Sequence, residues 1–336
     1  MEIVRLTESN YNKWNEFAMQ SDTAWFRHTT DWLEYSSCCR FDSNTKNVSF
    51  FVMQSGKIQA IVPLLIEYSY PERIIDCFAM YGDYTPLPAY LNTSDVDKEK
   101  VKETINEEIK RIIAEHDVKY GKFVIDPLIE NGYFLDFSVF NMLEESAKLS
   151  FTTTNIVDLR LDIDTILRKM RKGHKAAIKQ VKQSSGYHVD IFDKENITKE
   201  KLLRFKKIHM TDAGRQTRTD KSWECMYHWI QMGRACLTML WIDDLQEYCA
   251  AALVMMYKHS AYYASYGIID STLLNGHAGY IIQWETICYL KNHDIYRYET
   301  GENLFNHDDK KLYDISKYKR GFRTVEIPKI TFLEEY

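Results

Sequence analysis

The runs LTMLWI (237–242), YCAAALVMMY (248–257) and AYYASYGI (261–268) decide the fold. Each run is dominated by aliphatic and aromatic residues, and short polar turns separate them, so the pattern predicts three consecutive antiparallel strands. Gly279 to Asn292 then has helical spacing of its apolar residues, and Ile295 to Glu299 has the composition of a further strand. This order of elements indicates a mixed α/β domain with a mostly antiparallel sheet.

The first half of the chain has a similar order of elements. Two short helices come first, and Ser55-Gly56 separates two β-rich runs as in a hairpin. A helix over Val101 to His116 and a strand over Lys122 to Ile125 follow. A Ser/Thr-rich stretch near Lys148 to Thr154 separates the two halves. The sequence therefore predicts two α/β domains, 1–150 and 151–336, each with a mixed, mostly antiparallel sheet flanked by helices.

The composition excludes several classes of protein. The chain has 336 residues, 45% of them hydrophobic, and a formal net charge of -5, which disfavours a protein that coats DNA through its overall field. None of the seven cysteines forms a C-x-x-C pair, so no metal site is predicted. We expect a cytoplasmic protein without a membrane span, because no apolar run approaches the ~20 residues of a membrane helix and the N-terminus is polar.

A basic segment is the sharpest local feature. Asp164 is predicted to cap a long helix that ends near Gly186. Like charges at three- and four-residue steps repel each other unless an anion lies against them, so nucleotide phosphates or tRNA are candidate ligands. The alternative is a solvated helix face. The charged residues are Arg168, Arg171 or Lys172, Lys175, Lys179 and Lys182.

A glycine-rich loop opens the helix near residue 279. Gly276, His277, Ala278 and Gly279 form a turn whose unpaired backbone N–H groups can hold a pyrophosphate. The turn matches the end of the Q/R-x-x-G-x-G/A loop with which GNAT acetyltransferases bind coenzyme A, but Leu273 stands where Gln or Arg is expected. The alternative is an ordinary helix-start turn.

Titratable groups follow the last predicted strand. Glu299 and Glu302 lie at its end, and His307 comes close behind. A carboxylate or an imidazole there can take the proton of an attacking ammonium, so these three residues are candidate general bases. The alternative is solvated loop charge.

Five stretches together resemble the FemAB family of aminoacyl and acyl transferases, and they occur in the family's order. The resemblance implies two GNAT-like domains. It also implies phosphate-facing basic residues, carried here onto Arg171, Lys172, Lys175 and Lys319, and an aromatic-glycine loop that includes Tyr81, Asp83 and Tyr84 as substrate contacts. The five stretches are Trp25 to Leu33, Gly56 to Leu64, Tyr81 to Tyr84, Arg171 to Lys179 and Ile315 to Phe322.

The resemblance leads to a hypothesis of direct acyl transfer onto an amine of a cell-envelope precursor, either an amino sugar or a peptide stem, linked to a nucleotide or a lipid. Tyr263 or Tyr266 is expected to position the substrate or protonate the leaving group, and Lys319 to neutralise developing charge. The chain lacks the long coiled-coil insertion of members that build peptidoglycan bridges, which favours acyl-CoA over aminoacyl-tRNA as the donor. A rival hypothesis is a non-catalytic module that binds a nucleotide sugar or a partner protein.

Overall fold

The computed structural model describes residues 1–42, 44–68, 76–91, 97–129, 147–304 and 309–336. They form two compact units, Met1–Phe151 with Lys329–Tyr336, and Thr152–Pro328. The last segment thus groups with the first unit, whereas the predicted C-terminal domain, 151–336, included it. No helix in the described ranges is both long and apolar enough to cross a membrane.

The first unit contains two sheets and the helices that cover them. Its helices are α1 (Tyr11–Gln20), α2 (Thr30–Cys38) and α3 (Lys98–His116). Its strands are β1 (Glu2–Arg5), β2 (Thr45–Asn47), β3 (Phe50–Gln54), β4 (Lys57–Val62), β5 (Leu65–Glu67), β6 (Cys77–Phe78), β7 (Thr85–Pro86), β8 (Ala89–Tyr90) and β9 (Tyr120–Ile125).

Turn chemistry and apolar periodicity explain the first unit. The predicted hairpin is β3–β4, and Ser55 and Gly56 both have positive φ (50° and 77°) in its turn. Helix α3 buries Val101, Ile105 and Ile112 against the core. One sheet has the order β1-β3-β4-β8, and in the other, β9 pairs in parallel with β6 and β7.

The second unit is one sheet with helices packed on it. Its strands are β10 (Lys148–Asp158), β11 (Tyr187–Phe192), β12 (Ala235–Ile242), β13 (Glu247–Tyr257), β14 (Ser260–Ile268), β15 (Arg297–Glu302) and β16 (Val325–Glu335). Residues 148–151 of β10 and 329–335 of β16 are counted with the first unit. Its helices are α4 (Ile163–Lys169), α5 (Lys172–Lys182), α6 (Lys199–Ala213), α7 (Asp220–Gln231), the four-residue turn α8 (Leu273–Gly276), α9 (Ala278–Lys291) and α10 (Lys310–Arg320).

The three quoted runs form β12, β13 and β14, and the predicted antiparallel pairing is confirmed. The sheet order is β11-β12-β13-β14-β15-β10. Strand β13 is buried along almost its whole length, as expected for a central strand whose two faces are both covered. Helix α9 buries Ile281, Ile282, Trp284 and Ile287 against it.

The prediction of one long basic helix from Asp164 to Gly186 is wrong. The chain is extended at Met170 (ψ 153°) and Arg171 (ψ 142°), which separates α4 from α5. The N–H group of Arg171 leaves helical hydrogen bonding and donates to the carbonyl oxygen of Gly321, at 3.0 Å. Asp162, rather than Asp164, caps α4 by accepting a hydrogen bond from the N–H group of Thr165. The basic residues therefore do not share one continuous helix face.

Candidate functional site

A cavity of about 1000 Å³ lies where β14 and β15 separate. The two strands pair in parallel only from Ser260–Arg297 to Tyr262–Glu299, and beyond this point neither strand pairs with the other. Strand β14 has a bulge at Ala264, because Tyr263 and Ser265 face consecutive residues of β13. Residues Tyr263 to Tyr266 line the cavity, so the predicted Tyr263 and Tyr266 both lie in its wall.

The N-terminus of α9 forms another wall. Gly276, Ala278 and Gly279 line the cavity, and His277 is the N-cap residue. The first N–H groups of an α-helix have no partner within the helix, and the helix dipole makes this end attractive to anions. The preceding turn α8 has three consecutive left-handed residues, Leu274, Asn275 and Gly276, with φ of 51°, 57° and 79°. The predicted glycine-rich loop thus lies at the cavity.

Two tyrosine hydroxyls lie against Gly279. A Cβ atom at this position would lie 2.8 Å from the hydroxyl oxygen of Tyr318 and 3.5 Å from that of Tyr266, so the approach requires glycine. The Tyr318 hydroxyl is buried and has no hydrogen-bond partner among the described residues. Burial raises the pKa of Tyr318 and of Tyr266, so both hydroxyls stay protonated near neutral pH and can donate to a ligand.

Lys319 reaches the cavity from α10. The hydroxyl of Thr300 donates to the carbonyl oxygen of Lys319 at 3.2 Å, which holds the end of α10 on β15. The side chain of Lys319 lies over Gly301, whose φ of +125° favours glycine, and its ammonium is 5.5 Å from the ring centre of Tyr263. Removal from water lowers the pKa of Lys319, and the charge of Glu299 opposes that shift.

Two of the three predicted bases, Glu299 and Glu302, do not line the cavity. Glu299 is 5% exposed and accepts a hydrogen bond from the hydroxyl of Thr154 at 2.6 Å. Glu302 accepts one from the hydroxyl of Thr152, also at 2.6 Å. Both carboxylates interact electrostatically with the Lys319 ammonium, and His307 lies outside the described residues. As general bases, all three remain predictions.

Three further functional candidates, which no sequence motif marks, come from α6 and the loop after it. His209, Asp212 and Arg218 line the cavity. Helix α6 approaches β14 closely, because a Cβ atom at Gly267 would lie 2.9 Å from the Cα atom of His209. The spacing of His209 and Asp212 places both on one helix face, but no sequence motif distinguishes that face from an exposed one.

The charge state of these candidates follows from their surroundings. Burial raises the pKa of Asp212, opposed by Lys311 and by a hydrogen bond from the Ile268 backbone. Burial, aided by the Arg218 charge, lowers the pKa of His209 to about 4. Arg218 stacks on Trp223 at 5.1 Å and extends to within 3.3 Å of His209 Nε2. At neutral pH the imidazole is therefore uncharged.

The predicted phosphate-binding residues of the basic segment are divided. Arg171 lines a separate cleft of about 480 Å³. Lys172 and Lys175 line neither this cleft nor the large cavity, and the ammonium of Lys175 donates to the carbonyl oxygen of Arg168 at 3.1 Å. For Lys172 and Lys175, phosphate binding stays a prediction.

The predicted aromatic loop lies in the first unit. Tyr81 has a φ of +46° and packs on Trp32 at 5.5 Å between ring centres. The carboxylate of Asp83 lies 4.0 Å from the guanidinium of Arg27, and the ring of Tyr84 lies 5.9 Å from the ammonium of Lys329. No group of three or more potential metal ligands occurs in the part of the chain that the structure describes.

Comparisons with known proteins agree with this architecture. Residues 168–320 match the family model described as an acetyltransferase (GNAT) domain. FemX has a similar structure, with a TM-score of 0.67 and 14% identity over 100% of this chain and 95% of FemX. No protein of curated function matches the sequence.

Two further structures are similar over nearly their whole length. A tandem GNAT protein from the clavulanic acid biosynthesis pathway has a TM-score of 0.55 and 12% identity, over 99% of this chain and 98% of its own. The C-terminal domain of a putative lysylphosphatidylglycerol synthetase from Agrobacterium fabrum has a TM-score of 0.61 and 10% identity, over 98% and 92%. At these identities the likeness establishes the fold, and the predicted class of two GNAT-like domains is confirmed.

Proposed function

Because the chain has the GNAT fold in a FemAB-like, two-domain form, we propose that it is an acyltransferase whose reaction takes place in the large cavity of the second unit. The acceptor is an amine of a cell-envelope precursor, either an amino sugar or a peptide stem. One observation carries the proposal: where β14 and β15 separate, the cavity meets the N-terminus of α9 and the buried hydroxyl of Tyr318, which has no hydrogen-bond partner among the described residues.

The charges of the cavity support a phosphate-bearing acyl donor. Four cationic side chains line it, against the carboxylates of Asp212 and Asp314, so the wall is net positive. A pyrophosphate at the N-terminus of α9 gains hydrogen bonds to backbone N–H groups and a favourable helix dipole. Acyl-CoA is the donor that we propose, with aminoacyl-tRNA as the alternative. The cations are Arg218, Lys310, Lys311 and Lys319.

The lining residues can divide the chemistry between them. The acceptor nitrogen attacks the acyl carbonyl carbon, and the carbonyl oxygen takes up negative charge that backbone donors at the Ala264 bulge stabilise. We assign the ammonium proton to Asp212, because its raised pKa brings the carboxylate closer to the operating pH of a general base. The C–S bond to coenzyme A then breaks, and Tyr318 donates its proton to the departing sulfur and takes a proton back from solvent. Glu299 and Glu302 instead hold the charge of Lys319.

A binding experiment tests the donor. Acetyl-CoA and longer acyl-CoAs are titrated while unfolding is followed, since a ligand at a hundred times its Kd adds about 2.7 kcal/mol of stability. We expect stabilisation by an acyl-CoA. If no acyl-CoA stabilises the protein but a non-hydrolysable aminoacyl-tRNA mimic does, the alternative donor is correct.

A turnover experiment tests the base. Thiol release from the bound acyl-CoA is measured with glucosamine and with stem-peptide amines. Asp212→Asn should lower kcat by about a hundredfold or more with the donor Kd unchanged, because a positioned base contributes about 10²–10⁴. Asp244→Asn, which removes an exposed carboxylate outside the cavity, is the matched control. Equal rates for the two variants would exclude Asp212 as the base.

One feature favours the rival function of a binding module. Leu273 occupies the position where a coenzyme A loop has Gln or Arg, and the following α8 turn is left-handed. A UDP-sugar that binds tightly in the cavity, with no thiol release for any amine, would support the module and contradict acyl transfer.

A further inference from the structure

A second cleft, lined by different residues from the cavity, lies at the end of α10 and is surrounded by positively charged side chains. We call it the cationic cleft, and its volume is about 480 Å³. The last turn of α10 contributes side chains to both pockets. Tyr318 and Lys319 line the cavity, whereas Lys317 and Arg320 line the cationic cleft. Its cations are Lys169, Arg171, Lys317, Arg320 and Arg323.

The framework of the cleft is held by specific contacts. The N–H group of Arg171 donates to the Gly321 carbonyl oxygen at 3.0 Å, which joins the start of α5 to the end of α10. His174 is 3% exposed, and its Nε2 lies 2.8 Å from the carbonyl oxygen of Tyr318. Its ring packs so closely on Gly321 that a Cβ atom there would lie 2.0 Å away. These contacts therefore hold the basic residues at the start of α5 and at the end of α10 next to each other.

Four of the five cleft cations have no ion pair within the described part of the chain. Arg323 contacts Glu326 at 3.2 Å, and this is the one ion pair to a cleft cation among the residues that the structure describes. Lys169, Lys317 and Arg320 lie in the last turns of α4 and α10, where a helix dipole favours a cation. Arg171 does not fit that explanation, since it is the N-cap of α5, where the dipole disfavours a positive charge.

An anion in the cleft would relieve both penalties. It would screen the cations from each other, and it would lie beside the guanidinium of Arg171, whose charge the dipole of α5 disfavours. The cleft offers no aromatic ring and no large aliphatic side chain, because its remaining lining is Gly321 and Thr324. The recognisable part of a ligand is therefore its phosphate groups rather than a base or an acyl chain.

We propose that the cationic cleft binds a ligand carrying two or more linked phosphate groups, at a site separate from the reaction cavity. Its chemistry is that of a diphosphate or a longer oligophosphate, either free or as part of a nucleotide. Occupation of the cleft fixes the last turn of α10, which also carries Tyr318 and Lys319. The proposal does not depend on acyl transfer, because it concerns binding alone.

Calorimetric titration of the full chain with inorganic pyrophosphate tests the site. The Arg171→Gln/Arg320→Gln double variant removes two cleft cations, and we expect its Kd to rise at least tenfold. The matched control, Lys199→Gln/Lys207→Gln, removes two exposed lysines outside the cleft and changes the formal net charge by the same amount. Its Kd should stay within twofold of the wild type. Equal weakening in both variants would show nonspecific charge attraction and overturn the proposal.

Further arms separate the alternatives. Orthophosphate and sulfate should bind more weakly than pyrophosphate, and equal binding would contradict a site for linked phosphates. Tighter binding of UDP than of pyrophosphate supports a nucleotide source, and equal binding supports a free oligophosphate. Pyrophosphate binding that survives Arg171→Gln/Arg320→Gln but is lost in Gly279→Ala belongs to the reaction cavity and refutes the cleft site.

Discussion

Gly279→Ala tests the closest contact in the reaction cavity. The new Cβ atom would lie 2.8 Å from the Tyr318 hydroxyl oxygen, whereas ordinary contact begins at 3.4 Å, so the ring must move by about 0.6 Å. It has little freedom, because ring centres of Tyr280 and Phe322 each lie 5.2 Å away. Overpacking of this kind costs about 1–3 kcal/mol. The helix propensity of alanine returns at most about 1 kcal/mol.

Gly173→Ala is a matched control for this substitution. Both glycines are the second residue of a helix, α5 for Gly173 and α9 for Gly279, and a Cβ atom at Gly173 meets nothing within 4 Å. We therefore expect Gly173→Ala to be neutral or to stabilise by up to about 1 kcal/mol. In urea denaturation, the free energy of unfolding of Gly279→Ala should be about 1–3 kcal/mol lower than that of Gly173→Ala.

Donor affinity is the second readout for the Gly279→Ala variant. Displacing Tyr318 removes a hydrogen bond worth about 1 kcal/mol, so the Kd for the acyl donor should rise about fivefold or more. Gly173→Ala should keep the wild-type Kd. If Gly279→Ala were as stable as Gly173→Ala and bound the donor equally well, the assigned packing of Tyr318 against α9 would be wrong.

Three other measurements test neighbouring parts of the second unit. Burial lowers the folded pKa of His209 to about 4, so the stability that comes from keeping this imidazole uncharged is complete above about pH 6.5 and is lost as the pH falls toward 4. His209→Gln should reduce the loss in free energy of unfolding over this pH range by about 1–3 kcal/mol. His228→Gln, at an exposed site, should leave that loss unchanged. Gly321→Ala places a Cβ atom 2.0 Å from the His174 ring and should lower the free energy of unfolding by about 3 kcal/mol, so a stable variant would rule out this packing. Lys319→Met leaves two neighbouring carboxylates without their cation and should cost about 3 kcal/mol in urea denaturation at pH 7, whereas a loss below about 1 kcal/mol would argue against the charge coupling.

Part of the site followed from local sequence. Gly276, Ala278 and Gly279 were predicted as a helix-opening turn, and all three line the cavity. Tyr263 and Tyr266 were named with the acyl-transfer hypothesis, and they line the cavity too. The turn depends on contacts between residues near each other in the chain. Lys319 came from the family resemblance, and it also lines the cavity.

Other parts of the site could not be derived in this way. Asp212, His209 and Arg218 are polar residues of an amphipathic helix and its loop, and local pattern does not distinguish a cavity wall from a solvated face. Glu299 and Glu302 have the residue type of a base, but they accept hydrogen bonds from threonine hydroxyls of β10 and are not among the residues that line the cavity.

The sequence by itself determined the order and type of the elements, since the three antiparallel strands, the hairpin and the helix after the glycine turn are set by neighbouring residues. The tertiary structure alone decided where those elements meet. The parallel contact of β14 with β15 joins strands separated by a whole helix, and its early end opens the cavity. The break between α4 and α5 follows from a hydrogen bond to Gly321, far along the chain. The strand pairing and the helix break both depend on backbone hydrogen bonds between residues far apart in the chain. The order of side chains along the sequence does not predict which distant carbonyl oxygen accepts a given N–H group.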